Sequence, residues 1–191
     1  MSFIDDFTDA NRSFSPFRAE LLKHIKGDKI IDVETDGGTI ASLFDKYSGI
    51  DAIQVVNGQL RTIAMRVQWG VNYQSFTIRY KRKSGVDTEY KKRIDAIFGQ
   101  KGYLFPYLTV QCYLDKRHGA TGVLSCAIVK TEDLYKFIKE NFDNLQKRKC
   151  PEGNEFLVVY FQQLIESGIK SIVFGDNPTF APTSNAMRIA K

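Results

Sequence analysis

Asp51, Arg66 and Gln68 are the residues whose types and spacing could do chemistry together. Ile50–Val56 reads as a strand, Asn57-Gly58 as a two-residue hairpin turn, and Gln59–Trp69 as the returning strand. A turn there pairs Val56 with Gln59 and sets Asp51 opposite Ala64. Side chains alternate along a strand, so Asp51, Ile53, Val55, Leu60, Thr62, Ala64, Arg66 and Gln68 share a face. Asp51 and Arg66 are then diagonal neighbours, with Gln68 one step beyond. Two chemistries suit that set. Asp51 can hold a hard divalent cation through oxygen, or it can pair with Arg66 across the sheet while Gln68 hydrogen-bonds into the pair.

A second set is basic. The run from Thr77 to Lys83 places Arg79, Lys81 and Lys83 on one face of a strand, with Tyr80 and Arg82 alternating. Lys91, Lys92 and Arg93 follow on the next helix. Clustered charge of this kind contacts phosphate. Trp69, Tyr73, Phe76 and Tyr80 are interleaved with it and either stack bases or pack a core. Residues 61–101 hold ten basic and three acidic side chains, net +7, whereas residues 1–60 are net −4. The formal charge of +5 over 191 residues hides this asymmetry. A basic strand also guards a sheet edge, so the run alone does not name a ligand.

The elements that must position these residues are legible in outline. Residues 16–26 read as a helix, with Ser15 as N-cap, Pro16 at the first position and Gly27 after its end. Phe17, Leu21, Leu22 and Ile25 form its apolar stripe. A short strand from Lys29 to Glu34 and a short helix over 39–46, capped by Thr39, precede the hairpin. Tyr73–Lys81 reads as a third strand returning beside the second. Pairing Gly70 with Tyr73 turns Arg79 and Lys81 to the Asp51 face, and pairing Trp69 with Tyr73 turns them away. Asp87–Phe98 is a helix with Thr88 at its start. Tyr107–Leu114 and Val123–Lys130 are strands, and Thr131–Phe142 is a helix with Thr131 as N-cap. Residues 146–154 form a polar, charged break. Short strands at Phe156–Phe161 and Ser171–Phe174 flank a helical Gln162–Ser167. Residues 1–175 thus form a single α/β (α+β) domain on a mixed central sheet, and 176–191 a loose tail.

Composition removes whole classes. Hydrophobic residues make up 43% and charged residues 26%, which excludes collagen-like and disordered chains. No run of about 18 apolar residues exists, so no membrane partner is expected. Asp5, Asp6 and Asp9 do not suit a secretion signal. Cys112, Cys126 and Cys150 are odd in number and form no CxxC, which fits a reducing, cytoplasmic setting. No Walker A loop, GxGxxG, GxSxG or HExxH occurs.

The order helix, strand, hairpin, helix, strand over residues 16–114 resembles the core of the PD-(D/E)XK nuclease superfamily, a restriction-endonuclease-like fold. Ser-Gly-Ile-Asp, residues 48–51, resembles the Asp that enters that family's second strand. Ala-Met-Arg-Val-Gln, residues 64–68, stands where the family carries (D/E)-x-K. Glu20 matches the acidic residue often found on the first helix. The resemblance implies a nucleic-acid partner, DNA or RNA, and phosphodiester cleavage with Mg²⁺ or Mn²⁺ held by Asp51 and Glu20, supplemented by Asp32 or Glu34. The metal would activate a water and neutralise the phosphate. Two positions depart from the motif. Arg66 replaces a carboxylate, and Gln68 stands as a polar substitute for the lysine. Arg66, Arg79, Lys81, Lys83, Lys91, Lys92 and Arg93 would grip phosphate.

The expectation is therefore a nucleic-acid-binding protein on a nuclease-like core, with a variant or inactivated cleavage site. A non-catalytic interaction or inhibitor protein of a phage or mobile element, binding protein or nucleic acid through the same basic surface, is the alternative. A small-molecule enzyme using the Asp51–Arg66–Gln68 face is the third.

Overall fold

Both turn residues of the hairpin take positive φ, 49° at Asn57 and 74° at Gly58, the geometry of a type I′ turn. A computed structural model describes residues 21, 24–25, 29–33, 48–99, 102–117 and 120–175. In chain order its strands and helices are β1 (Lys29–Asp32), β2 (Ala52–Val56), β3 (Gln59–Trp69), β4 (Ser75–Lys81), α1 (Glu89–Phe98), β5 (Leu108–Leu114), β6 (Val123–Lys130), α2 (Thr131–Asn141), β7 (Gln146–Lys149), β8 (Glu155–Tyr160), α3 (Phe161–Glu166) and β9 (Ser171–Phe174). The described residues form a mixed α/β arrangement with two sheets. The larger has the order β1-β2-β3-β5-β6-β9, and the smaller β4-β8-β7.

The hairpin has the register that its sequence implies, from Val56 opposite Gln59 to Ala52 opposite Ile63. The next strand does not. β4 leaves the sheet and pairs antiparallel with β8, Ser75 opposite Tyr160. The connecting residues turn it away, with Gly70 at φ 71° and Gln74 at φ 48°. The edge of β3 that β4 was expected to cover is taken by β5, running parallel, from Ile63 opposite Leu108 to Trp69 opposite Leu114. Neither expected register between β3 and β4 therefore exists. A parallel neighbour requires a crossover, and β4 with α1 supplies it.

Two further expectations change. Residues 146–149 are a strand, β7, paired with β8. All four of its residues are exposed, so it carries no apolar alternation to reveal it. Thr131 lies inside α2 instead of capping it. Its hydroxyl shares a 2.8 Å hydrogen bond with that of Thr109. Thr88 does cap α1, accepting from the Lys91 amide at 3.2 Å. The expected helix over 39–46 and the tail over 176–191 lie outside the described residues, as does most of the 16–26 helix. Leu21 and Ile25 are joined by an i to i−4 backbone bond of 3.1 Å.

The large sheet buries both faces. Ile30, Ala52, Ile63, Val110, Cys112, Cys126 and Ile128 pack together on one side with Leu21 and Ile25. Tyr113, Ala127 and Val129 point the other way, into Leu134, Tyr135 and Ile138 of α2, Phe76 and Ile78 of β4, and Phe161 and Leu164 of α3. Packing on both faces explains why every residue of β5, Thr109 and Gln111 included, and Ser125–Val129 of β6 are buried. Cys112 and Cys126 are opposed, fully buried core residues. No helix among the described residues is long and apolar enough to cross a membrane.

β4 bulges between Arg79 and Lys81. The bulge brings Tyr80 and Lys81 together on Glu155: the phenol donates at 2.5 Å and the ammonium lies at 3.0 Å. Burial, reinforced by the bond to Glu155, pushes the Tyr80 phenol up to about 12. An unfolded tyrosine titrates at about 10. The stabilisation from neutral Tyr80 is thus whole below pH ~10 and is lost as pH rises through about 12. Unfolding free energy measured across that window is expected to fall less steeply for Tyr80→Phe than for the wild type. Phe161, fully buried between Phe76 and Tyr113, is expected to lose about 3–5 kcal/mol on Phe161→Ala, read by urea unfolding.

Candidate functional site

The crossover from β3 to β5 closes a cleft over the Asp51 face. Its volume is about 430 Å³, and its walls include Asp51, Arg66, Arg79, Arg82, Glu89, Arg93, Thr109 and Gln111. Four guanidinium groups and two carboxylates thus face one space. Parallel pairing supplies its floor: Arg66 is level with Gln111 and Ala64 with Thr109, so these side chains share a face. β4 supplies Arg79, the residues after it Arg82, and the first turn of α1 Glu89.

Asp51 sits at the mouth of β2. Its Oδ2 accepts the Met65 amide at 2.5 Å, which satisfies a donor of β3 beyond the end of β2. The guanidinium of Arg66 donates to the Thr77 carbonyl and meets Glu89 at 3.1 Å. The ion-pair partner Arg66 meets is therefore a residue of α1, not the Asp51 expected from the hairpin alone. Glu89 Oε1 also accepts from the Tyr135 hydroxyl at 3.2 Å. The charge of Glu89 holds the Arg66 guanidinium above its ordinary value against the opposing effect of burial, and Asp51 adds to it. Burial first, then Glu89, pushes the Tyr135 phenol well above its usual range.

Arg93 is buried and acts inward. It donates to the Ser48 carbonyl and, at 3.0 Å, to that of Gly49, tying α1 to the segment that leads into Asp51. Glycine is favoured at position 49. Its φ is +52°, and a Cβ would stand 2.7 Å from Arg93 Nη2. Arg79 and Arg82 are different. Their Nε atoms are buried without a hydrogen-bond partner, as is Nε2 of Gln111. Burial, together with the charges of Arg82 and Arg66, holds Arg79 below its ordinary value. Four guanidinium groups against two carboxylates leave the cleft net positive, with hydrogen-bonding capacity unmet at these two Nε atoms.

The structure brings Asp51, Arg66, Arg79 and Arg93 together and leaves the other expected residues elsewhere. Gln68 lies level with Tyr113, its buried Oε1 without a hydrogen-bond partner, and does not line the cleft. Lys81 is held by Glu155, and Lys91 pairs with Asp95 at 2.5 Å on the outside of α1. Lys83 and Lys92 are exposed and away from the lining. Glu20 and Glu34 lie outside the described residues, and of Asp32 only the backbone is described. Arg82, Glu89, Thr109 and Gln111 were not foreseen. Strict alternation assigns Arg82 to the opposite face from Arg79, and the bulge breaks that parity.

Among the described residues the carboxylates of the cleft are Asp51 and Glu89, and the expected ligand Glu20 lies outside them. An Mg²⁺ or Mn²⁺ ion takes about six oxygen ligands. Here one Asp51 oxygen receives an amide, both Glu89 oxygens receive hydrogen bonds, and Arg66 places a cation beside them. Among the described residues no group of three His, Cys, Asp or Glu gathers to hold a metal. No family model, curated protein or solved structure matches the chain.

Gly49→Ala is expected to cost about 1–3 kcal/mol from the left-handed backbone alone. Relief by Arg93→Ala in the double variant, measured as a non-additive unfolding free energy, would attribute the remainder to the Arg93 contact.

Proposed function

We propose that this protein binds nucleic acid by holding backbone phosphates in the arginine-lined cleft of a nuclease-like core. The observation that carries the reading is the pair Arg79 and Arg82, buried at Nε without partners beside Gln111. Guanidinium is suited to this task, because its planar fork matches phosphate oxygens. The succession of β1, the β2–β3 hairpin, α1 and a parallel β5 supports the restriction-endonuclease-like reading, with Asp51 just before β2 and Arg66 on β3, although β4 intervenes between β3 and α1 and joins the smaller sheet. In this reading the cleft retains phosphate recognition, and charge from arginine replaces charge from a metal. Arg66 is locked by Glu89, Arg93 is locked by the 48–49 backbone, and Arg79 and Arg82 remain to meet the ligand.

Fluorescence anisotropy on labelled 20-mers of single- and double-stranded DNA and RNA tests this. Affinity is expected to fall steeply with salt, and Arg79→Ala with Arg82→Ala to lower it at least tenfold while reducing the salt slope by about 1–2. Incubation with Mg²⁺, Mn²⁺ or EDTA is expected to leave the oligomers uncut. Absence of binding at about 50 mM salt, where phosphate contacts are strong, overturns the proposal. Metal-dependent cleavage abolished by Asp51→Ala would return the cleft to the hydrolytic reading.

A further inference from the structure

The smaller sheet carries a second surface that the cleft does not account for. Its core side holds Phe76, Ile78, Leu157 and Val159, all buried. The opposite side carries a row in register across its three strands, Arg79 on β4, Phe156 on β8 and Arg148 on β7. The Arg79 guanidinium lies 5.3 Å from the Phe156 ring centre, and that of Arg148 lies 5.6 Å from the Tyr73 ring centre. Tyr73 is 49% exposed. β7 is an edge strand, and its sequence Gln-Lys-Arg-Lys places three adjacent cations in solvent.

Edge protection explains charge on β7. It does not explain guanidinium groups laid over aromatic rings beside an exposed tyrosine. Rings and guanidinium planes are the faces on which unpaired bases stack. Neighbouring strands are about 4.8 Å apart, so the row spans roughly 10 Å from Arg79 to Arg148, one or two nucleotides of an extended strand. Arg79 belongs to both the row and the cleft. A chain leaving the cleft at Arg79 therefore passes directly onto this surface. A duplex keeps its bases stacked on each other and offers the row only phosphates.

We propose that the outer face of the smaller sheet is a binding site for single-stranded nucleic acid, with bases stacked on Tyr73 and Arg148 and phosphate met by Arg79, whereas Lys147 and Lys149 alternate to the other side of β7. This rests on the cleft's reading as a phosphate site and adds strand selectivity to it.

The test compares a fluorescein-labelled dT12 with a hairpin duplex of equal charge, by anisotropy at fixed salt. Tyr73→Ala and Arg148→Ala are each expected to weaken dT12 binding about fivefold to hundredfold and to leave duplex binding within twofold. Tyr73→Phe keeps the ring and is expected to retain affinity, whereas Arg148→Lys keeps only the charge and is expected to lose part of it. Equal losses on both ligands, or no loss on dT12, overturn the inference while leaving the cleft's role intact. Failure of the wild type to bind either ligand overturns both. Unchanged circular dichroism and unfolding midpoints for these surface variants confirm that the losses belong to binding.

Discussion

The parallel pairing of β3 with β5 is the constraint on which the rest of the structure depends. Two adjacent antiparallel strands can be joined by a tight turn, but parallel neighbours need a crossover that leaves the sheet and returns. Here the crossover takes β4 and α1 over the Asp51 face of the sheet. It carries Arg79, Arg82, Glu89 and Arg93, so the same excursion that solves a connection problem also builds the cleft wall. β4 then has an unpaired edge, and β8 with β7 completes it as a separate sheet.

Charge inside the cleft is handled in two ways. Arg66 and Arg93 are satisfied by the protein, the first by Glu89 and the Thr77 carbonyl, the second by the carbonyls of Ser48 and Gly49. Both hold the crossover onto the sheet. The Arg66–Glu89 pair is partly exposed, at 40% and 27%, and an ion pair of this kind adds little net stability. Arg79 and Arg82 keep unmet hydrogen-bonding capacity at Nε. The contrast separates satisfied from unsatisfied guanidinium groups among four residues of one type in one space.

Legibility followed the range of the interactions involved. The two-residue Asn57-Gly58 turn, the β2–β3 register and the start of α1 near Thr88 were readable because each is decided within a few residues. The partner of Arg66 was not readable. Asp51 is its diagonal neighbour in the hairpin, yet Glu89, 23 positions away in sequence, reaches it at 3.1 Å. β7 was invisible because an edge strand exposed on both sides needs no apolar pattern. Lys81 was expected beside Arg79 in a phosphate grip, but a one-residue bulge turned it to Glu155. Gln111 could not be placed at the site without knowing that β5 lies beside β3.

The sequence by itself determined the mixed α/β class, the hairpin with Asp51 and Arg66 on one face, and the concentration of positive charge in residues 61–101. These are consequences of side-chain alternation, turn chemistry and composition. Tertiary structure alone decided which of those charges converge, which are neutralised, and that β4 belongs to a second sheet. The reason is physical: pairing between distant strands is chosen by the burial of two whole faces together, and no local pattern in either strand encodes its neighbour.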